Sequence, residues 1–166
     1  VTVLREEEAE GWAFMNALSP EQRARTIVGT ELPFDGYASG FKDNIVVPYI
    51  GLPTAEMSGE QRERLKRLIA LYTDRLPLSH APLRLDEVLA HFDRTVFGWI
   101  GECDPVCPFY YRIDNPVIFI EFYHQPGVAL PNTGYNRRHA HALVRTPNGN
   151  DYGRALLREF REAQAR

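Results

Sequence analysis

The feature that most constrains the fold is a change in hydrophobic periodicity near Asp93. Before it, apolar residues recur at helical spacing, as Leu65, Leu68, Ile69 and Tyr72 do. After it, aromatic and β-branched residues form short continuous runs, which pleated surfaces favour. Helices that come first and strands that cluster later predict an α+β domain rather than an alternating α/β fold.

Helix starts are marked twice by the same four-residue pattern. Residues 19–22 and 58–61 each combine a serine with a glutamine three positions later, the signature of a capping box. Apolar spacing supports further helices on either side. The predicted helices cover residues 3–17, 20–29, 59–76 and 85–92, and residues 30–57 form a long, mostly irregular connection.

Strands are predicted at four runs, over residues 96–100, 109–113, 117–123 and 140–144. Short links between the first three favour an antiparallel arrangement. A last helix begins near Asp151. We therefore expect one domain over residues 1–166. Mostly helical residues 1–94 would pack on an antiparallel sheet of about four strands over residues 95–146, and a C-terminal helix over residues 150–166 would close it.

Composition excludes several classes of protein. The 166 residues are 44% hydrophobic and 25% charged, which is ordinary for one soluble globular domain. No run of about 18 apolar residues exists, so we expect no membrane partner. With 19 basic and 22 acidic side chains the net charge is −3, which gives no electrostatic reason to expect a nucleic-acid partner.

The start of the chain and its cysteines leave the compartment open. The chain begins at Val1 with no basic-then-apolar leader, so no signal peptide is visible and the localisation stays unknown. Its opening residues are typical of the middle of a polypeptide chain rather than of its start. We therefore expect this sequence to be the C-terminal part of a longer chain. Cys103 and Cys107 are expected as free thiols, with a small disulfide loop as the second interpretation.

The strongest signal for chemistry is the pair His139 and His141. Alternate residues of a strand share a face, so both imidazoles would point the same way. Two such nitrogens can reach one metal ion at about 2.0–2.1 Å. His124 ends the preceding strand and would lie near His139 if the two strands pair. The competing interpretation is a solvated or aromatic-packed pair without metal.

Glu121 is a carboxylate in an otherwise apolar strand, where an unpaired charge is not expected to be buried. It lies three positions before His124, so a regular strand places the two on opposite faces. Two ligand sets therefore remain open, one with His124 and one with Glu121, each completed by His139 and His141. Either set leaves a position for water or substrate. Imidazole suits zinc, iron and copper alike, so the divalent metal is not determined.

Arg145 follows His141 by four residues, on the same predicted strand face. It could hold an anionic group of a substrate or pair with Glu121, and pairing is the favoured interpretation. The residues after it favour a tight turn at Asn148-Gly149 and a helix cap at Asn150 or Asp151.

The chain resembles an uncharacterised family of bacterial and fungal proteins known as a domain of unknown function. The candidate residues above and the run that follows the histidine pair carry this resemblance. The resemblance runs from about Leu4 to Phe160 and is most specific in the run Arg145–Gly153 after the His-x-His pair. It departs at Tyr123, where family members usually have aspartate. The resemblance implies a longer family chain with a further N-terminal segment, and it implies no activity. The matching positions are His80, Glu121, His124, Gln125, His139, His141, Arg145, Asn148, Asn150 and Asp151.

Three functions follow as hypotheses. The first is a metal-dependent enzyme acting on a small polar substrate, with Glu121 as ligand or general base and Arg145 orienting the substrate. The second is a non-catalytic binding or assembly domain whose histidines form a structural polar network. The third is one part of a larger enzyme whose site is completed by a missing N-terminal segment or a partner chain.

Overall fold

The structure is a computed structural model and describes residues 3–127 and 134–165. Three short 3₁₀ helices also occur in this part, at Thr54–Glu56, Phe92–Arg94 and Asp151–Gly153. The elements in chain order are α1 (Arg5–Asn16), α2 (Pro20–Thr26), β1 (Ile27–Gly29), β2 (Leu52–Pro53), α3 (Gly59–Thr73), α4 (Ala81–Ala90), β3 (Val96–Gly101), β4 (Phe109–Asp114), β5 (Phe119–Pro126), β6 (Tyr135–Arg145) and α5 (Arg154–Gln164).

The strands form one mixed sheet in the order β1-β3-β4-β5-β6, with β2 also paired to β3. β1 runs parallel to β3, and the other pairs are antiparallel. The predicted α+β class is confirmed. The described sheet has six strands rather than about four, because the short segments β1 and β2 add to β3.

Several predicted boundaries need correction. α2 ends at Thr26, and the three residues after it turn into a strand. α4 begins at Ala81 rather than Leu85, because Pro82 occupies its first turn, where a missing N–H costs nothing.

Both capping boxes are present as predicted. The Ser19 hydroxyl accepts from the Gln22 N–H at 3.2 Å, and the Gln22 side chain accepts from the Ser19 N–H at 2.9 Å. Ser58 and Gln61 repeat the arrangement at 3.2 and 2.8 Å. The local signals therefore fix the starts of α2 and α3.

The two faces of the sheet are covered differently. One face packs against the helices in the main hydrophobic core, where Phe97, Trp99 and Tyr111 meet side chains such as Phe14 and Leu65. The other face is covered by the irregular connection over residues 30–51. A smaller apolar cluster lies between this face and the connection and contains Ile100, Tyr110 and Tyr123. The candidate site described below lies on this second face.

The contact between α1 and the sheet depends on a glycine. A Cβ atom at Gly11 would lie 2.2 Å from the ring of the buried Tyr111. Gly11→Ala should therefore destabilise the domain by about 1–3 kcal/mol, even though alanine forms helix better than glycine by about 1 kcal/mol. Urea unfolding measures this difference.

The matched control is Gly59→Ala in the first turn of α3, where a Cβ meets nothing within 4 Å. This variant should change the free energy of unfolding by less than about 0.5 kcal/mol. A Gly11→Ala protein as stable as the wild type would contradict the tight packing of α1 on Tyr111.

Candidate functional site at an imidazole pair

The structure places His139 and His141 side by side on β6. Their ring centroids lie 4.8 Å apart and their Nε2 atoms 2.9 Å apart. Both side chains are half-buried. The two rings point to the same side of β6, although His139 lies in the irregularity where residues 137–139 have no register partner on β5. These two rings form an imidazole pair.

Hydrogen-bond partners fix the protons of the imidazole pair. His139 Nδ1 lies 2.8 Å from the carbonyl oxygen of Pro126, which can only accept, so Nδ1 carries the proton. His139 Nε2 is then a lone-pair acceptor, and His141 Nε2–H donates to it. In the neutral state the two rings thus share one proton between their Nε2 atoms.

Neighbouring side chains hold His141 in place. Its ring stacks on Tyr123, with centroids 5.4 Å apart and planes within 14°. The Tyr123 hydroxyl and the Gln125 amide donate to the same Asp35 oxygen, at 2.9 and 3.1 Å. Burial lowers the pKa of His141, the nearby His139 lowers it further, and Asp35 opposes both. The His141 ring is therefore neutral near pH 7.

A pocket of about 650 Å³ opens at the imidazole pair. It is also lined by Val3 and Glu8 near the start of α1 and by Arg137 and Arg138 of β6. Arg137 donates to Glu8 at 2.6 Å, so its charge is already paired. Arg138 is exposed and can meet an anionic group that enters the pocket.

His124 lies on the opposite face of the sheet from the imidazole pair. Its Nδ1 lies 3.0 Å from both the N–H and the carbonyl oxygen of Phe109, and its Nε2 lies 3.2 Å from a Glu8 oxygen. The irregularity in strand pairing falls after His124, which still pairs with Ala140 in regular register. Burial lowers the pKa of His124, with Glu8 opposing. The expected approach of His124 to His139 is therefore not found.

Glu121 is fully buried and holds the irregular connection on the sheet. One oxygen accepts from the Tyr37 N–H and the Tyr110 hydroxyl, and the other from the Ala38 N–H, each at 2.7 Å. The sequence prediction that this carboxylate is not buried unpaired thus holds. Its partners are two backbone N–H groups and the Tyr110 hydroxyl.

Arg145 pairs with Asp151 rather than with Glu121. Its guanidinium lies 3.1 Å from the Asp151 carboxylate and 2.6 Å from the Lys42 carbonyl oxygen. Asp151 also accepts from the Asn44 N–H at 2.7 Å. The favoured pairing with Glu121 is corrected, because the oxygens of Glu121 already receive donors from the connection.

Neither three-ligand set is assembled. Among residues 3–127 and 134–165, no group of three or more His, Cys, Asp or Glu side chains is placed to hold a metal ion. The structure brings His139 and His141 together. His124 instead contacts Glu8, and Glu121 accepts hydrogen bonds from the irregular connection. Cys103 and Cys107 are free thiols.

The sequence interpretation missed the residues around the imidazole pair. Tyr123 could have been found, because alternation places it opposite His141 in the paired strand. Asp35 gives no such signal, because it lies in the irregular connection. Glu8 also lies far from the pair in sequence, and only the packing of α1 brings it to the pocket.

A family model described as "Protein of unknown function (DUF3500)" matches residues 1–154. The chain belongs to this family. The match confirms the resemblance to a family of unknown function. The matched region of this DUF3500 domain ends at residue 154, where α5 begins. No curated protein and no solved structure matches the chain. Within the described residues, every helix is too short or too polar to cross a membrane.

Proposed function

We propose that this DUF3500 domain binds a divalent transition-metal ion through the Nε2 atoms of His139 and His141. The supporting observation is their 2.9 Å separation. Two nitrogens at about 2.0–2.1 Å from one ion lie about 2.9 Å apart at a right angle and about 3.4 Å apart at the tetrahedral angle. Binding therefore needs a shift of only a few tenths of an ångström.

The surroundings of the imidazole pair suit metal ligation. Histidine ligands commonly donate their second N–H to a carbonyl group, as His139 does to Pro126. Stacking on Tyr123 orients the other ring. His141 has to move its proton from Nε2 to Nδ1, which a neutral imidazole does without a change in charge.

A centre with two protein ligands keeps positions for water and for substrate. A bound metal ion would lower the pKa of a water ligand or activate oxygen, and the pocket beside it would admit a small polar substrate. Zinc, iron and copper all suit imidazole. In this proposal Glu121 and Arg145 act at a distance, by fixing the connection that carries Asp35.

The alternative is a non-catalytic binding or assembly domain. It is favoured because three of the four ring nitrogens of the imidazole pair already have a hydrogen-bond partner without metal. The two Nε2 atoms are hydrogen-bonded to each other, and His139 Nδ1 donates to the Pro126 carbonyl oxygen. A third possibility keeps the metal and adds ligands from an N-terminal segment or a partner chain. These ideas differ in whether the domain binds metal by itself.

Calorimetric titration with Zn²⁺ tests the proposal. At pH 7.5 we expect one ion per chain, and at pH 5.5 an affinity at least about tenfold weaker, because protons compete for the imidazoles. Since the pKa of His141 lies below the ordinary value, protons should compete for this ring only at lower pH than for an ordinary histidine.

The control is His80→Ala, which removes an exposed histidine outside the site. It should leave the affinity unchanged. Absence of binding at pH 7.5, or binding that His80→Ala abolishes, would exclude a metal site formed by His139 and His141 alone. It would leave the non-catalytic domain and the site completed by another segment or chain.

A further inference from the structure

A second concave surface lies away from the imidazole pair. A groove of about 760 Å³ is formed between α4, the turn at residues 146–150 and α5. This volume is within the range of about 300–1,000 Å³ that small-molecule sites occupy. Its charged lining residues are Arg84, Arg154, Arg158, Arg161, Glu87 and Glu162.

The charges of the groove do not balance. Arg84 donates to Glu87 at 2.5 Å and to the Val117 carbonyl at 2.6 Å, so these two charges cancel. Arg154, Arg158 and Arg161 have no ion pair or side-chain hydrogen bond with any described residue. Against them stands the carboxylate of Glu162, which leaves an excess of positive charge.

The three arginines follow one another at spacings of four and three residues on α5. Residues at these spacings are neighbours on a helix, so like charges there repel and weaken the helix. An anion between the guanidinium groups removes this repulsion. Guanidinium forks match the oxygens of phosphate, to which they donate in pairs.

The turn at residues 146–150 forms the wall of the groove next to the start of α5. Asn148 and Gly149 take positive φ values of 62° and 69°, and the Gly149 N–H donates to the Ile45 carbonyl at 3.1 Å. The Asn150 side chain accepts from the Ala155 N–H at 2.6 Å, which ties the turn to the first turn of the helix. The distinctive run after the histidines thus lines one side of the groove.

We infer that this groove binds a small phosphate-bearing anion, with Arg154, Arg158 and Arg161 around the phosphoryl oxygens. The volume exceeds that of a phosphate group and leaves room for the organic part of such a ligand. The inference is independent of the imidazole pair, which contributes no residue to the groove.

Calorimetric titration with inorganic pyrophosphate in metal-free buffer tests this site. The wild type should bind saturably with one site per chain. The double variant Arg158→Ala, Arg161→Ala should bind at least about tenfold more weakly. Arg67→Ala removes an exposed arginine of α3 outside the groove and should change the affinity less than about twofold.

A charge change of the opposite sign sharpens the test. Glu162→Gln removes the carboxylate that stands against the three arginines in the groove lining and should strengthen binding about two- to fivefold. Glu159→Gln, on the same helix but outside the groove lining, should leave the affinity unchanged. Lack of saturable binding would overturn the inference. Equal effects of the groove variants and their controls would also overturn it, because they would indicate diffuse charge rather than a site.

Discussion

Replacing Arg112 by methionine should destabilise the domain by about 3–5 kcal/mol, because a buried charge loses its partner. The side chains of Arg112 and Asp114 are 1% and 2% exposed. The guanidinium donates to the two Asp114 oxygens at 2.8 and 2.7 Å and to the Pro48 carbonyl at 2.5 Å. It also lies opposite the buried Glu121 in the strand pair.

The loss should depend on pH. Burial raises the pKa of Asp114 to about 6, although Arg112 acts to lower it. Without the arginine this pKa rises further, so the folded variant takes up a proton that the unfolded chain releases near pH 4. Stability lost at pH 7.5 should therefore be partly regained at pH 5.

Urea unfolding at both pH values measures this effect. The control is Arg25→Met, which breaks an exposed ion pair with Glu56 and should cost about 0–1 kcal/mol. A loss below about 1 kcal/mol for Arg112→Met, or the same loss at both pH values, would contradict a buried ion pair at this position.

The buried charges matter for the site because they fix the irregular connection. Glu121 holds the Tyr37 and Ala38 N–H groups, and Arg112 holds the Pro48 carbonyl. Asp35 is thereby kept where Tyr123 can donate to it, next to the imidazole pair. The buried side chains of Glu121 and Arg112 thus hold the irregular connection in place, and the connection brings Asp35 to the imidazole pair.

The largest effect on binding is expected from His139→Ala combined with His141→Ala. Removing both nitrogens should lower Zn²⁺ affinity at least about 100-fold, because the ion loses every protein ligand assigned to it. Unfolding free energy should change by less than about 1 kcal/mol, since both side chains are only half-buried. Calorimetry and urea unfolding report the two quantities separately.

His124→Gln is the discriminating control, because the sequence also offered His124 as a ligand. It should lower stability, since this ring is fully buried between Phe109 and Phe122, but should retain metal affinity in the folded protein. Unchanged affinity in the double variant, or loss of affinity in folded His124→Gln, would contradict the two-histidine centre.

Local signals in the sequence predicted most of the fold. Capping boxes gave the starts of α2 and α3, and aromatic runs gave β3, β4 and β5. The strands β1 and β2 were missed because two or three residues carry no recognisable alternation. They become strands only by hydrogen bonding to β3, which is a property of the tertiary structure.

The candidate site was predictable only in part. Strand alternation gave the shared face of His139 and His141, and it correctly separated Glu121 from His124. The partners of Glu121 lie 83 and 84 residues away in an irregular segment, so no local pattern reveals them. Asp151 is one of the two predicted helix caps, but its carboxylate accepts hydrogen bonds from Arg145 and the Asn44 N–H instead.

The most direct test of the two-histidine centre is anomalous diffraction from crystals of the protein soaked in Zn²⁺ and measured at the zinc absorption edge. The expected result is one strong peak about 2.0–2.1 Å from the Nε2 atoms of both His139 and His141. Rings that remain hydrogen-bonded to each other, with no peak between them, would contradict it.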